Sequence, residues 1–350
     1  MGDQDRAGNG SGSAGASLEI GSRVHGEPGT SVLSCYPPLA LAPMVGLSHS
    51  AFRLLLLELG GVGLFFSEML SVGRLPSENE TLSPFLCRTP AEKPFFYQIF
   101  MGPGQDILPA VERLHSLNAQ GIDLNLGCPA PALRKQGAGS FMEPATVQQT
   151  VARLRNATSL PISAKIRLGR TLDEKNLLSF CKMLEDEGID LLTVHGRLQG
   201  EKFCRRARWD WIGKVKKGVT VPVIANGGIF SVEDAAKCLD HSGADGLMLG
   251  RGAVKHPWLF ADIAEKLYGL KRGWSGPADQ RKIYFRFIEL LIERFQPERR
   301  LGRLKQFTHY YSGNFTFGHH LATGVQNSKT LEEAGQCAAA FFSAQKSEGV

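Results

Sequence analysis

What the chain lacks narrows its class before anything in it is read. In 350 residues no apolar run approaches the roughly 18 that a bilayer span needs, because charge interrupts each candidate within about ten, so no membrane-spanning segment is expected. There is no CxxC pair. The seven cysteines (Cys35, Cys87, Cys128, Cys181, Cys204, Cys238 and Cys337) form an odd, scattered set. That argues against a disulfide framework and a tetrathiolate metal site, and it fits a reducing compartment, expected to be the cytoplasm. Neither charge sign dominates: 40 Lys+Arg against 34 Asp+Glu leaves +6, which permits an anionic partner without demanding one. Charged residues, 21% of the chain, are spread along it beside 43% hydrophobic ones, which excludes wholesale disorder.

Glycine, by contrast, is abundant at 40 residues. Part of it lies in residues 1–33, which open in Gly, Ser, Ala, Asn and Asp without apolar periodicity and are expected to be a disordered tail. This segment has no apolar core of a secretory signal and little arginine. Beyond it, short apolar runs bounded by glycine, proline or polar residues read as eight buried strands: Leu39–Met44, Leu64–Phe66, Phe95–Ile99, Ile122–Leu126, Ile162–Ile166, Leu191–Val194, Val221–Ala225 and Gly246–Leu249. Amphipathic stretches separate most of them, and Ser231 with Asp234 three residues on marks one helix start. The alternation predicts an α/β fold, a (β/α)8 TIM barrel over residues 34–260. A doubly wound sheet is the competitor, but it would carry a GxGxxG after the first strand, where Met44-Val45-Gly46 stands. A small helical domain is expected over 261–335, followed by a flexible end over 336–350.

A barrel gathers function at the C-terminal ends of its strands. Here nearly every strand ends on a polar or glycine cluster: Pro43-Met44, Glu68, Gln98, Asn125 to Cys128, Lys165 with Arg167, His195 to Arg197, Asn226 to Gly228, and Gly250 to Gly252. Such a ring suits a ligand-binding mouth. The two glycine loops after strands 7 and 8, with Arg251, could bind a phosphate or simply make tight turns. Lys165 could set a positive charge against a developing anion, such as that on a reduced flavin, or be solvated. Gln98 could bind a heterocycle or cap neighbouring backbone. Cys128, between Gly127 and Pro129, cannot continue its strand, so its thiol is presented at the strand end as nucleophile, general acid or ligand. No His or second Cys lies at metal spacing, so no metal is expected. Cys35, Cys87, Cys181, Cys238 and Cys337 are expected to be packing residues. Two basic runs stand out, 197–217 and 281–305, each with eight Lys and Arg, and beside a catalytic mouth they suit a polyanion track.

Taken in order, the motifs resemble the tRNA-dihydrouridine synthases. The resemblance runs through APM (42–44), SEM (67–69), FYQIF (96–100), DLNLGCPAP (123–131), RKQGAGS (134–140), AKIRLG (164–169), TVHGR (193–197), IANGGI (224–229) and GLMLGRGA (246–253). It covers about Leu39 to Trp258 and, more weakly, FTHYYSG (307–313). It implies an FMN-bearing barrel that reduces uridine in tRNA with NADPH or NADH as electron donor. FMN would be held by Pro43, Met44, Gln98, Lys165 and His195, and its phosphate by Asn226, Gly227, Gly228, Gly250 and Arg251. Hydride would reach C6 of the uracil, and Cys128 would protonate C5. Asn125, Lys135, Arg167 and Arg197 would orient the base and its phosphates. Arg205, Arg206, Arg299, Arg300 and Arg303 would hold the tRNA backbone, and the protein is expected to act as a monomer. Two rivals remain at this point: a flavin-dependent reductase of dihydroorotate or enone type, and a tRNA-binding factor without catalysis.

Overall fold

The computed structural model describes residues 18–19 and 34–347. The tail expected over 1–33 lies outside the described residues, apart from β1 (Leu18–Glu19), which pairs antiparallel with β2 (Ser34–Cys35). All eight expected strands are present. They are β3 (Leu39–Leu41), β4 (Phe65–Phe66), β6 (Phe95–Phe100), β7 (Gly121–Asn125), β8 (Ile162–Arg167), β9 (Leu191–His195), β10 (Val223–Asn226) and β11 (Gly246–Leu249). The short β5 (Leu70–Ser71) adds to the end of β6. Every neighbouring pair in the order β3-β11-β10-β9-β8-β7-β6-β4 is parallel, and a parallel bridge from Ala40 to Leu64 closes the ring. Strands buried on both faces read as unbroken apolar runs, which is why they were legible.

Inside the ring Ala40, Leu64, Phe66, Phe96, Leu191, Ile224 and Met248 form the floor. Phe66 and Phe96 meet edge to face at 5.7 Å, and Gly121 has to be glycine because a Cβ there would overlap the Phe96 ring. The outer layer consists of α1 (Ser50–Leu59), α2 (Leu108–Ser116), α4 (Pro144–Ala157), α5 (Glu174–Asp186), α6 (Trp209–Gly218) and α7 (Val232–Ser242). A five-residue α3 (Pro131–Lys135) precedes α4, and α8 (Arg251–Lys255) follows β11. Ser231 caps α7 as expected, its hydroxyl accepting from the Asp234 amide at 3.1 Å.

The domain boundary placed at 260/261 falls inside α9 (Leu259–Tyr268), which packs on α1 and α7 as the last barrel helix. The further helices are α10 (Gln280–Arg294), α11 (Arg300–Tyr311), α12 (Gly318–Asn327) and α13 (Leu331–Ser347). Residues 336–347, expected to belong to a flexible end, lie in α13, where Ala338 and Phe342 are buried. The helical part has an aromatic core: Phe287 and Phe307 lie 4.1 Å apart, and Tyr311 stacks on Phe307 at 4.9 Å. Phe52 of α1 touches both phenylalanines, so this core continues into the barrel's outer layer. Burying each such ring contributes about 1.5–3 kcal/mol, and this apolar contact holds the helical part on α1. Among the described residues no helix is long and apolar enough to cross a membrane.

Candidate active site

Strand alternation decides which side chains meet. Every second residue of a barrel strand faces inward. From the floor upward this stacks Phe96 and Gln98 on β6, Asp123 and Asn125 on β7, Ser163, Lys165 and Arg167 on β8, and Thr193 and His195 on β9. Their upper members open into a cavity of about 320 Å³ at the C-terminal rim. Pro43, Met44, Gln98, Asn125 and Cys128 line it, as do Lys165, Arg167, His195 and Arg197. Asn226, Gly227, Gly228, Gly250 and Arg251 complete the wall. These residues, expected from the sequence at separate strand ends, are thus brought together.

A hydrogen-bond chain runs under the cavity. Asp123 accepts from Ser163 Oγ at 2.5 Å and from Gln98 Nε2 at 2.6 Å. Gln98 Oε1 in turn accepts from Asn125 Nδ2 at 2.8 Å, and Asn125 Oδ1 accepts from the Cys128 amide at 3.0 Å. From the other side the Cys128 carbonyl accepts from the Ser140 hydroxyl at 3.1 Å. Cys128 itself is half-buried on the lip. Opposite, Lys165 Nζ donates to Asn226 Oδ1 at 2.9 Å, and Asn226 Nδ2 to the Met248 carbonyl at 2.7 Å.

Burial dominates the electrostatics. It lowers Lys165 to about 8, with the Asp123 carboxylate opposing the fall. It raises Asp123 to about 6 against the Ser163 and Gln98 hydrogen bonds. It also holds His195 well below the usual imidazole range, helped by the cations of Lys165, Arg167, Arg197 and Arg251. His195 is therefore neutral near neutral pH, and its Nδ1 is buried without a hydrogen-bond partner. Beside it Gly227 has φ +107°, and a Cβ there would come within 2.8 Å of His195 Nε2. Only glycine lets the backbone turn past the imidazole.

The loop from Leu198 to Arg208 lies across the rim on three arginines. Arg167 donates to the Leu198 carbonyl at 2.8 Å, and Arg197 to those of Arg205 and Phe203 at 2.6 and 3.1 Å. Arg251 sits over the Phe203 ring at 4.2 Å. On the opposite rim the loop after β3 is gripped from two sides. Glu68 accepts from the Gly46 amide at 2.8 Å, and Gln306 of α11 donates to the Val45 carbonyl at 2.9 Å. Gln306 and Tyr310 of α11 line the cavity with the barrel residues.

The expected polyanion contacts are placed differently. Lys135, Arg205, Arg206 and Arg299 are exposed and stand away from the cavity. Arg300 caps α10, donating to the Phe295 and Ile292 carbonyls at 2.6 and 3.1 Å. Arg303 lies over the Phe295 ring at 4.2 Å and donates to the Arg299 carbonyl. Of the cysteines expected to pack, Cys181 and Cys238 are buried and raised to about 12 by burial, Cys87 is half-buried, and Cys337 is exposed. The Cys35 side chain lies outside the described residues. Sequence reasoning passed over Asp123, Phe203, Gln306 and Tyr310. A charged residue inside an apolar strand was an available signal for Asp123, and one aromatic in a basic run was a signal for Phe203. Nothing local marks Gln306 or Tyr310, because they reach the cavity from another part of the chain.

Comparison with known proteins gives the family. The family model described as dihydrouridine synthase (Dus) matches residues 40–344. A probable tRNA-dihydrouridine synthase 1 from Synechocystis sp. is 32% identical over 286 residues, 81% of this chain and 80% of its own. tRNA-dihydrouridine synthase B from Pseudomonas putida is 36% identical over 244 residues, covering 69% and 71%, and that from Yersinia pestis is 36% identical over 233 residues, covering 65% and 72%. With its barrel closed and its strand-end motifs gathered on one cavity, the chain belongs to the dihydrouridine synthase family.

Proposed function

We propose that the protein reduces the C5–C6 bond of uridine in tRNA, giving 5,6-dihydrouridine, with FMN as cofactor and NADPH or NADH as electron donor. The observation that carries this reading is that Cys128 and Lys165 line one cavity, in a chain of this family. The donors fit a flavin. The Lys165 ammonium, the Arg251 guanidinium and the Gly227-Gly228 backbone all line the cavity and are the kinds of donor that a flavin ring and its phosphate take. Pro43, Met44, Gln98, Lys165 and His195 would hold the ring, and Asn226, Gly227, Gly228, Gly250 and Arg251 the phosphate. When bound, such a group supplies hydride for C6 of the base.

The chain's own residues do the rest. Hydride addition at C6 leaves enolate-like charge across C5 and O4, which an acid has to quench. Cys128, on the cavity lip, gives its proton to C5 as the positioned acid. Asn125, Arg167 and Arg197 orient the base. The uridine has to leave the tRNA stack to reach the cavity floor, and exposed Lys135, Arg205, Arg206 and Arg299 would meet the backbone around it. The scattered free cysteines support a reducing compartment, and with it the cytoplasm.

Replacing Cys128 tests the reading. Cys128→Ala is expected to keep its yellow flavin and bind tRNA while kcat falls by about 100-fold or more, the usual contribution of a positioned acid. Turnover at the wild-type rate would remove the thiol from the mechanism.

A further inference from the structure

Asp123 has no part in the chemistry above, yet it is fully buried (0% exposed) in the barrel interior. A carboxylate there is tolerated only where its oxygens find donors, and both do, from Ser163 and Gln98. What matters is the direction this imposes. An ionised carboxylate can only accept, so the Gln98 amide has to turn its NH2 toward Asp123 and its oxygen toward Asn125. Asn125 then has to turn its NH2 back to Gln98 and its oxygen outward, to the Cys128 amide at 3.0 Å and the Gly127 amide at 3.4 Å. The chain begins on a group that only accepts and ends on backbone N–H groups that only donate. Between those ends, two amides that could each be read either way have one consistent orientation.

We propose that Asp123 is a positioning residue for the reduction, which through Gln98 and Asn125 sets where the Cys128 backbone stands on the cavity lip. The Cys128 carbonyl is already held by Ser140, so the Asn125 contact is the second pin, and the two together fix where the thiol is carried. The inference rests on the proposed role of Cys128 for its meaning, but the geometry it claims can be read without turnover.

The experiment uses the flavin-loaded full chain with two readouts. One is kcat and KM with tRNA. The other is the rate at which iodoacetamide alkylates Cys128, followed on its own peptide by mass spectrometry. Asp123→Ala is expected to lower kcat by about 10–100-fold with KM little changed, and to shift Cys128 alkylation several-fold, as loss of an orienting partner does. Asp123→Asn should fall much less, because its oxygen can still face Gln98 while its NH2 faces the Ser163 hydroxyl. A folded Asp123→Ala whose Cys128 alkylates at the wild-type rate overturns the proposal.

If the alanine variant does not fold, a pair of exchanges decides. Asn125→Asp sets an acceptor at each end of Gln98 and should disturb Cys128 alkylation. Adding Asp123→Asn reverses the chain while keeping every bond, and should restore the alkylation rate. A double variant no better than Asn125→Asp alone also overturns it. Because alkylation is read apart from turnover, an active Cys128→Ala would sink the acid role without touching this result.

Discussion

Residues 197–217 and residues 281–305 each carry eight basic side chains, and by composition they are alike. In the first stretch the loop arginines border the mouth, while Lys214 and Lys216 on α6 pair with Glu174 and Asp245. Arg197 is buried beneath the rim loop and holds it by its carbonyls. Arg208 pairs with Glu201 at 2.7 Å, while Arg205 and Arg206 stay exposed above the cavity wall. In the second stretch Arg281, Lys282 and Arg299 are exposed, but four arginines are engaged within the protein. Arg286 joins Glu58 of α1 to Glu289 and Glu293 at 2.7–2.9 Å. Arg294 donates to Ser50 and Cys87 of the barrel at 3.2 and 3.0 Å. Arg300 caps a helix and Arg303 covers an aromatic ring. One stretch shapes a binding surface, and the other bolts the helices to the barrel. A guanidinium with five donors in a fixed fork suits both tasks, so a count of arginines does not distinguish them.

Single substitutions can sharpen or break this contrast. The largest effect is expected from Arg197→Ala, which frees the rim loop: kcat/KM for tRNA should fall by about 100-fold with little change in melting temperature. A normal rate would mean the loop is held without it. Next is Arg294→Ala, which leaves Ser50, Cys87 and Arg88 of the barrel without its guanidinium. Thermal or urea unfolding should show a loss of about 1–3 kcal/mol, with the salt dependence of tRNA binding unaltered. If that salt slope dropped instead, Arg294 would belong to the RNA surface beside Arg299. The smallest effect is expected from Arg205→Ala with Arg206→Ala. Affinity should weaken a few-fold and the log–log salt slope should fall by about one per lost phosphate contact, while kcat stays near wild type. An unchanged slope would take these two arginines off the tRNA path.

The same contrast shows why some features were legible in the sequence and others were not. Buried parallel strands leave unbroken apolar runs, so all eight were placed, within a residue or two at most ends. The cavity residues were legible too, because barrel topology brings every strand end to one rim whatever the side-chain details. Asp123 escaped because it sits inside a strand read only for its apolar character, although its meaning lies in the amides it directs. The basic run 281–305 was legible as charge but not as contact. The acids and carbonyls that engage Arg286 and Arg294 include Glu58, Ser50 and Arg88, which are more than 200 positions away in the chain. The part of α13 from residue 336 reads as a flexible end because its burial depends on Tyr284 of α10 and Phe315 before α12.

Gly46 ties the two parts together at close range. With φ +75° it occupies a backbone region that disfavours side chains, and a Cβ there would overlap Gln306 Oε1. Gln306 meanwhile holds the Val45 carbonyl and faces the cavity. Position 46 in the barrel and position 306 in the helices thus constrain each other sterically. A chimera that takes its helices from one relative and its barrel from another has to match them at this contact, or its cavity opens on that side.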